Sequence, residues 1–305
     1  MANGCMCCSG SGPGDELERI LDRLLKLIDS QKRGIDQGRR KEIDYIIIET
    51  SGMADPAPIV QTFFRSKMEA AAVFLDAIVT VVDAKNIKYH IEHEGIFART
   101  NEANKQIAYA DVVLLNKIDL VSASSVDSIE ASIHSINPTA RILKCQINGG
   151  GNTTDKCKGA AEVPLKEILD IHAFDISELE LNRDPLVLSR KADHTHSVSS
   201  MVIKVSKKKP LNLDLLNRTL SEILETHWND VFRIKGMVWV ITDSKSRTSS
   251  REPELLVIQG VNAELVGDIY PSERYDVSEE SSLVVIGRNI SELHLEERIK
   301  SCRTA

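Results

Sequence analysis

Val112-Val113-Leu114-Leu115-Asn116-Lys117-Ile118-Asp119 is an unbroken apolar run that stops abruptly at polar groups. Successive branched side chains leave no polar face, which suits a parallel strand buried on both sides, and ligands gather at the carboxyl ends of such strands. Asn116, Lys117 and Asp119 would stand at that end. A carboxylate accepts two hydrogen bonds and so matches the N1–H and exocyclic N–H of guanine, whereas adenine presents an acceptor at the first of these positions. Asp119 would therefore choose the base. The Asn116 amide would bridge the base edge to a neighbouring loop, and the Lys117 stem would lie along the base plane. The bland alternative is a set of ordinary polar residues in a strand-to-helix loop.

Working outward, Ile46-Ile47-Ile48-Glu49-Thr50-Ser51-Gly52 has the same form and predicts a second buried strand. Glu49 would supply an oxygen ligand to a nucleotide-bound Mg²⁺ or its waters, and Gly52, lacking a side chain, would let backbone N–H approach a terminal phosphate. Taken alone, this segment fits a strand ending at a solvated Glu equally well. Its pairing with the 112–119 segment favours two walls of one guanine-nucleotide site. Asp55 and Pro56 then open a helix, because proline's missing N–H costs nothing in a first turn.

A chain of 305 residues allows two domains with substantial cores, and 42% apolar with 27% charged residues is ordinary for a globular protein. No apolar stretch approaches the roughly 20 residues that span a bilayer, and the basic-then-apolar pattern of a secretory signal is missing. The expectation is a cytoplasmic protein without a membrane partner. A net charge of −7 argues against a nucleic-acid partner.

Strand and helix alternate along the first part of the chain. Leu17, Ile20, Leu21, Leu24, Leu25 and Ile28 recur at helical spacing, helices are expected over 58–65, 102–110, 125–136 and 165–171, and further strands over 78–82 and 141–145. Asp83, closing the 78–82 strand, would either face a nucleotide or cap the following turn, with the cap favoured. This order predicts a parallel sheet wrapped by helices. The pattern turns polar around 181–200, so the domains are placed at 1–190 and 191–305. In the second, strands over 201–205, 232–241, 255–259 and 283–286 with helices over 213–226 and 291–301 suggest a compact, ferredoxin-like α+β unit.

Cys5-Met6-Cys7-Cys8 packs three thiols into four residues. Thiolates are soft ligands that suit Zn²⁺ or Co²⁺ rather than Mg²⁺ or Ca²⁺, and a set of three leaves a fourth tetrahedral position open, which suits an exchangeable cargo. A frayed terminus bearing reactive thiols is the alternative. His194 and His196 read as solvated linker histidines ahead of a second metal pair, and Cys145 and Cys157 as buried or incidental thiols.

These residues together resemble the CobW-like family of metal-chaperone GTPases, of which the zinc-regulated GTPase metalloprotein activators are one branch. The match runs through Gly4-Cys5-Met6-Cys7-Cys8, Glu49-Thr50-Ser51-Gly52-Met53-Ala54-Asp55-Pro56 and Asn116-Lys117-Ile118-Asp119. It continues through Arg233-Ile234-Lys235-Gly236, Gln259-Gly260-Val261 and Ile286-Gly287-Arg288. The resemblance implies a P-loop-NTPase-like α/β domain that binds GTP with Mg²⁺ and a smaller α+β domain that engages a client metalloprotein. It also implies Cys5, Cys7 and Cys8 as ligands to zinc or cobalt, Glu49 as the Mg²⁺-side acid, and Asn116, Lys117 and Asp119 as guanine readers.

The sequence departs from the family in one respect. Members carry a phosphate-binding loop, Gly-x-x-x-x-Gly-Lys-Ser/Thr, that cradles the phosphates. No Gly-Lys dipeptide occurs here, and Asp15 and Glu16 after the Gly10 to Gly14 stretch would repel phosphate. The expectation is a sheet lacking its first strands and phosphate loop, an N-terminally shortened chain in which GTP is held weakly and hydrolysed negligibly, and exposed apolar surface in the first domain. The rival expectation is a catalytically inactive fragment that binds metal and a partner. A shortened N-terminus leaves an organelle open as an alternative location, since the missing part could have carried a transit sequence.

Overall fold

The computed structural model describes residues 19–21, 23, 24, 26, 44–52, 54–65, 73–92, 102–147, 163–174, 198–242, 252–271 and 279–303, and the chain divides into two compact units, 1–75 and 76–305. In the first unit, helical residues between 19 and 26 place Leu21 against Ile59 on helix α1, Ala57–Arg65, with Ile48 and Phe63 packed beside them. Asp55 starts α1 by accepting the Ala57 N–H at 3.0 Å, which satisfies one of the helix's orphan donors. The expected strand at 46–48 does not form: residues 44–50 carry no strand, and Ile47 is 83% exposed. Ile46 is exposed as well and Ile48 only partly buried; a strand is a property of a ladder, and these residues have no ladder partner among the described residues.

The second unit holds two sheets. Strands β1 (Val79–Asp83), β2 (Val112–Asn116) and β3 (Arg141–Lys144) pair in parallel in the order β1-β2-β3. All five residues of β2 are buried, as its unbroken apolar run requires. Between β1 and β2 come the short helix α2, Ile87–Glu92, and α3, Glu102–Tyr109; α4, Ala123–Ile136, leads to β3. Ser122 caps α4 through the Ser125 N–H at 3.2 Å, and Val126, Ile129, Ile133 and Ile136 form its buried stripe. Just past α4, the fully buried Asn137 places its amide nitrogen 2.9, 3.1 and 2.8 Å from the carbonyls of Ile107, Ala108 and Ala110. Two of these carbonyls belong to the last turn of α3 and the third to the residue that follows it, where helix carbonyls run out of intrahelical donors.

One face of this sheet is covered incompletely. Val112 and Leu114 are buried with Cys145 under Leu143, Val163, Ile168 and Ile171. Their neighbours in register, Val79 and Val81 on β1, are 36% and 63% exposed. Exposed apolar side chains occur at Val81 here and at Ile47 in the first unit. The helix expected over 165–171 shrinks to a single 3₁₀ turn, Leu165–Glu167.

The other sheet is six-stranded and built from β4 (Val198–Ser206), β5 (Leu211–Asn212), β6 (Val231–Ile241), β7 (Glu254–Val261), β8 (Glu264–Tyr270) and β9 (Glu280–Arg288). Its order is β4-β9-β6-β7-β8, with β5 beside β6. Helix α5, Leu213–His227, joins β4 and β5 to β6, and β9 lies antiparallel between β4 and β6. That is the split β-α-β arrangement of a ferredoxin-like unit, widened by the β7-β8 hairpin. Asn212 caps α5 by accepting the Leu215 N–H at 2.9 Å, and Leu216, Leu220, Ile223 and Leu224 face a core that includes Ile203, Val238 and Trp239. The helix expected over 291–301 is a 3₁₀ turn, Ile290–Leu293, followed by α6, Leu295–Lys300. Two glycines allow close strand approach: a Cβ on Gly236 would lie 2.3 Å from the Ser282 carbonyl oxygen, and one on Gly287 2.1 Å from that of Asp230.

A buried polar cluster joins the two sheets. Asp111, at the entrance to β2, pairs with Arg233 of β6, the two side chains being 5% and 1% exposed. Arg233 also donates to the Tyr109 carbonyl at 2.5 Å and the Ala110 carbonyl at 3.2 Å. Lys235 reaches Asp111 at 3.4 Å and the Ala173 carbonyl at 3.1 Å, and the Ile78 N–H donates to Asp111 at 3.0 Å. Tyr109 bonds Asn262 through its hydroxyl and stacks on Phe232 with ring centroids 6.0 Å apart. Burial alone pushes the Asp111 carboxyl up; Arg233 and Lys235, with the Ile78 N–H, outweigh it and hold the group below its ordinary value.

A carboxyl depressed in the folded state contributes stability that is present above its unfolded value, near 4 for Asp, and is lost as pH falls through the folded value. Replacing Arg233 by Ala would leave the buried carboxylate with only Lys235, 3.4 Å away, as its counter-charge, at a cost of about 3 kcal/mol in urea unfolding at pH 7. The double replacement Asp111→Leu with Arg233→Met should recover most of that loss and flatten the acid limb of the stability profile.

Candidate functional site at the ends of the parallel strands

β1 and β2 end level with each other, Asp83 being in register with Asn116, and the Ala84 N–H donates to the Asn116 carbonyl at 2.9 Å. The side chain of Asn116 is buried, and its Oδ1 accepts the Ile147 N–H at 2.7 Å and faces the Cys145 thiol at 3.9 Å. It therefore ties the loop after β2 to the loop after β3. Burial pushes the Cys145 thiol up, leaving it protonated at neutral pH, as suits an incidental buried cysteine.

Lys117 lies in the left-handed region, φ 61° and ψ 35°. For a residue with a Cβ this conformation costs about 1–2 kcal/mol and is found where surrounding contacts over-determine it. Two contacts do so here. The Lys117 carbonyl accepts the Leu120 N–H at 3.1 Å, closing the 3₁₀ turn Ile118–Leu120, and the Lys117 ammonium lies 2.7 Å from Asp83 Oδ2. Asp83 meanwhile accepts the Lys85 N–H at 2.9 Å and the Asn86 amide at 3.1 Å, so it caps its turn and pairs with Lys117 at once. Chiefly the Lys117 hydrogen bond, against burial and aided by Lys85 and Asn86, holds the Asp83 carboxyl below its ordinary value. The sequence supported the cap but missed the ion pair; two apolar runs ending together in an acid and a lysine were the available clue.

Asp119 sits in the 3₁₀ turn, exposed, and its carboxylate makes no hydrogen bond or ion pair with any described residue. Among the described residues both of its acceptor oxygens are without a partner. The Lys117 charge is matched by Asp83.

Glu49 and Gly52 belong to the unit 1–75 and are both exposed, with open space where a Gly52 Cβ would stand. Cys5, Cys7 and Cys8, with His194, His196 and Cys157, lie outside the described residues. Among the described residues no group of three or more His, Cys, Asp or Glu side chains is placed to hold a metal ion, and no helix is long and apolar enough to cross a membrane.

A parallel sheet ending in Asn-Lys-x-Asp, followed by an antiparallel α+β sheet, defines a mixed α/β protein of the P-loop-NTPase-like type. Residues 1–144 match the family model "CobW/HypB/UreG, nucleotide-binding domain", and residues 198–303 match "Cobalamin synthesis protein cobW C-terminal domain". The chain belongs to the CobW family. It is similar to the zinc chaperone YjiA of Escherichia coli, 28% identical over 292 residues that cover 96% of this chain and 78% of that one. It is also similar to zinc-regulated GTPase metalloprotein activator 1 of Schizosaccharomyces pombe, 28% identical with 95% and 68% covered. Among solved structures, a Zn(II)-bound triple mutant of the YjiA GTPase superposes with a TM-score of 0.68 at 25% identity, covering 92% of this chain and 76% of that one.

Asn116→Ala would strand the Ile147 N–H without its acceptor and should lower stability by about 1–3 kcal/mol. Amide exchange at Ile147 is the direct readout; unchanged protection would show that the two loops are joined by other means.

Proposed function

We propose that the protein is a GTP-dependent metal chaperone that delivers zinc, or cobalt, to client metalloproteins. The observation that carries this reading is the loop after β2, where Asn116 is pinned to the β3 loop, Lys117 is held in a demanding backbone conformation, and the Asp119 carboxylate is left open. The names of the relatives, a zinc chaperone and a zinc-regulated GTPase metalloprotein activator, support the same role.

In this reading Asn116, Lys117 and Asp119 select guanine, Glu49 stands on the Mg²⁺ side, and the Gly52 backbone meets the terminal phosphate. Cys5, Cys7 and Cys8 carry the metal cargo, and thiolates accept zinc and cobalt alike. Residues 1–190 form the nucleotide domain, residues 191–305 engage the client, and delivery takes place in the cytoplasm. Phosphoryl transfer from GTP to water changes the geometry around the thiols and frees the metal.

One observation favours a second reading for the 305 residues acting by themselves. They contain no Gly-Lys dipeptide to supply the lysine and backbone cradle that phosphoryl transfer needs. On that reading the chain binds guanine nucleotide weakly, holds metal and a partner, and hydrolyses GTP negligibly.

Equilibrium dialysis with GTP, alongside metal analysis of the purified chain, tests both. The first reading expects nucleotide, about one zinc per chain and GTP turnover; the second expects the metal with little or no turnover. A chain that takes up neither nucleotide nor zinc defeats both. Asp119→Asn exchanges an acceptor pair for a donor and an acceptor, so guanine binding should fall by about 10- to 100-fold while xanthine, with an oxygen at C2, gains. Replacing Cys5, Cys7 and Cys8 together by Ser should abolish zinc retention and leave the nucleotide affinity unchanged.

A further inference from the structure

We propose that Asp83 is a positioning residue for nucleoside recognition: from the end of β1 it fixes the Lys117 side chain so that a base meets the lysine's apolar stem rather than its charge. The inference rests on the guanine-reading assignment above and adds to it a residue on a neighbouring strand.

Of the two partners, Asp83 is the anchored one. Its carboxylate is held by the Lys85 N–H at 2.9 Å and the Asn86 amide at 3.1 Å, and its backbone is clamped to β2 by the strand register and by the Ala84 N–H on the Asn116 carbonyl. Within the described residues, Lys117 has only one side-chain partner, that carboxylate at 2.7 Å. The lysine therefore follows the aspartate. Its backbone is set at one end by the left-handed conformation and its ammonium at the other by the ion pair, which leaves the four-carbon stem stretched between two fixed points. A free lysine would lose that rotamer freedom only on meeting the base; here it is lost in advance, which raises affinity without adding a contact to the ligand.

Pairing also fixes what the stem can recognise. An unpaired ammonium attracts phosphate as readily as it borders a ring, whereas a matched one leaves the methylene stem as the surface on offer. Base choice stays with Asp119, so Asp83 should change how tightly a purine is held and not which purine is preferred.

A double-mutant cycle on the full chain, read by dialysis against GDP, tests this. Asp83→Asn keeps an acceptor for the Lys85 N–H while removing the charge, and should weaken GDP binding about tenfold with the guanine-over-adenine ratio intact. In a Lys117→Met background the same change should matter less than about twofold. Lys117→Arg, which can still pair with Asp83, should retain most of the affinity that Lys117→Met loses. Equal losses from Asp83→Asn in both backgrounds, or from the Arg and Met replacements of Lys117, would reduce Asp83 to a turn cap and overturn the proposal. If the unaltered chain shows no preference for GDP over ADP, the guanine assignment itself fails and this inference with it; preference for GDP with no response to Asp83→Asn sinks only the inference.

Discussion

The second unit depends on one buried ion pair. Asp111 and Arg233 lie 122 residues apart in sequence, yet each is almost wholly withdrawn from water, and each would be strongly unfavourable there without the other. Their pairing explains why the arriving chain is arranged as it is. Arg233 turns Nη1 to the carbonyls of Tyr109 and Ala110, Lys235 adds a second cation, and the Ile78 N–H brings in the start of β1. A hydrophobic contact in the same place would tolerate sliding; a charge pair with this many directed hydrogen bonds specifies a single seating of one sheet on the other.

β2 is then defined at both ends by acid–base pairs of opposite character. At its entrance Asp111 and Arg233 are dry and rigid. At its exit Asp83 and Lys117 are partly wet, with side chains 30% and 49% exposed. Between them run five residues, a span of about 17 Å for a strand, with no polar side chain before Asn116 to loosen the packing. Such a strand transmits position well, because neither end can shift without breaking directed bonds. The exit is the softer end, and the residues with open valences are there.

Much of this was legible in the sequence. Val112 to Leu115 could only be a strand buried on both faces, and the apolar period of α4 was plain at Val126, Ile129 and Ile133. The loop Asn116-Lys117-x-Asp119 was recognisable because its chemistry follows directly from its composition. Failures occurred where the answer depended on a partner far away in the chain. Ile46 to Ile48 has the side chains of a strand and, among the described residues, no neighbour to pair with. β8, Glu264–Tyr270, hides behind Gly267 and Asp268 at a sheet edge where water tolerates them. Arg233 appeared only as a family-like motif, since nothing local announces a carboxylate on another sheet. For the site, the sequence placed Asn116 and Asp119 at the end of β2, whereas the ion pair that restrains Lys117 required the register of β1 on β2.

Asn137 carries a consequence for how the molecule comes apart. By collecting three carbonyls from the end of α3 while standing at the end of α4, it makes the two helices one cooperative block. Fraying at either terminus has to release the same amide, at a cost of about 1–3 kcal/mol. The ends of the two helices are therefore linked, and loosening one lowers the free energy needed to loosen the other.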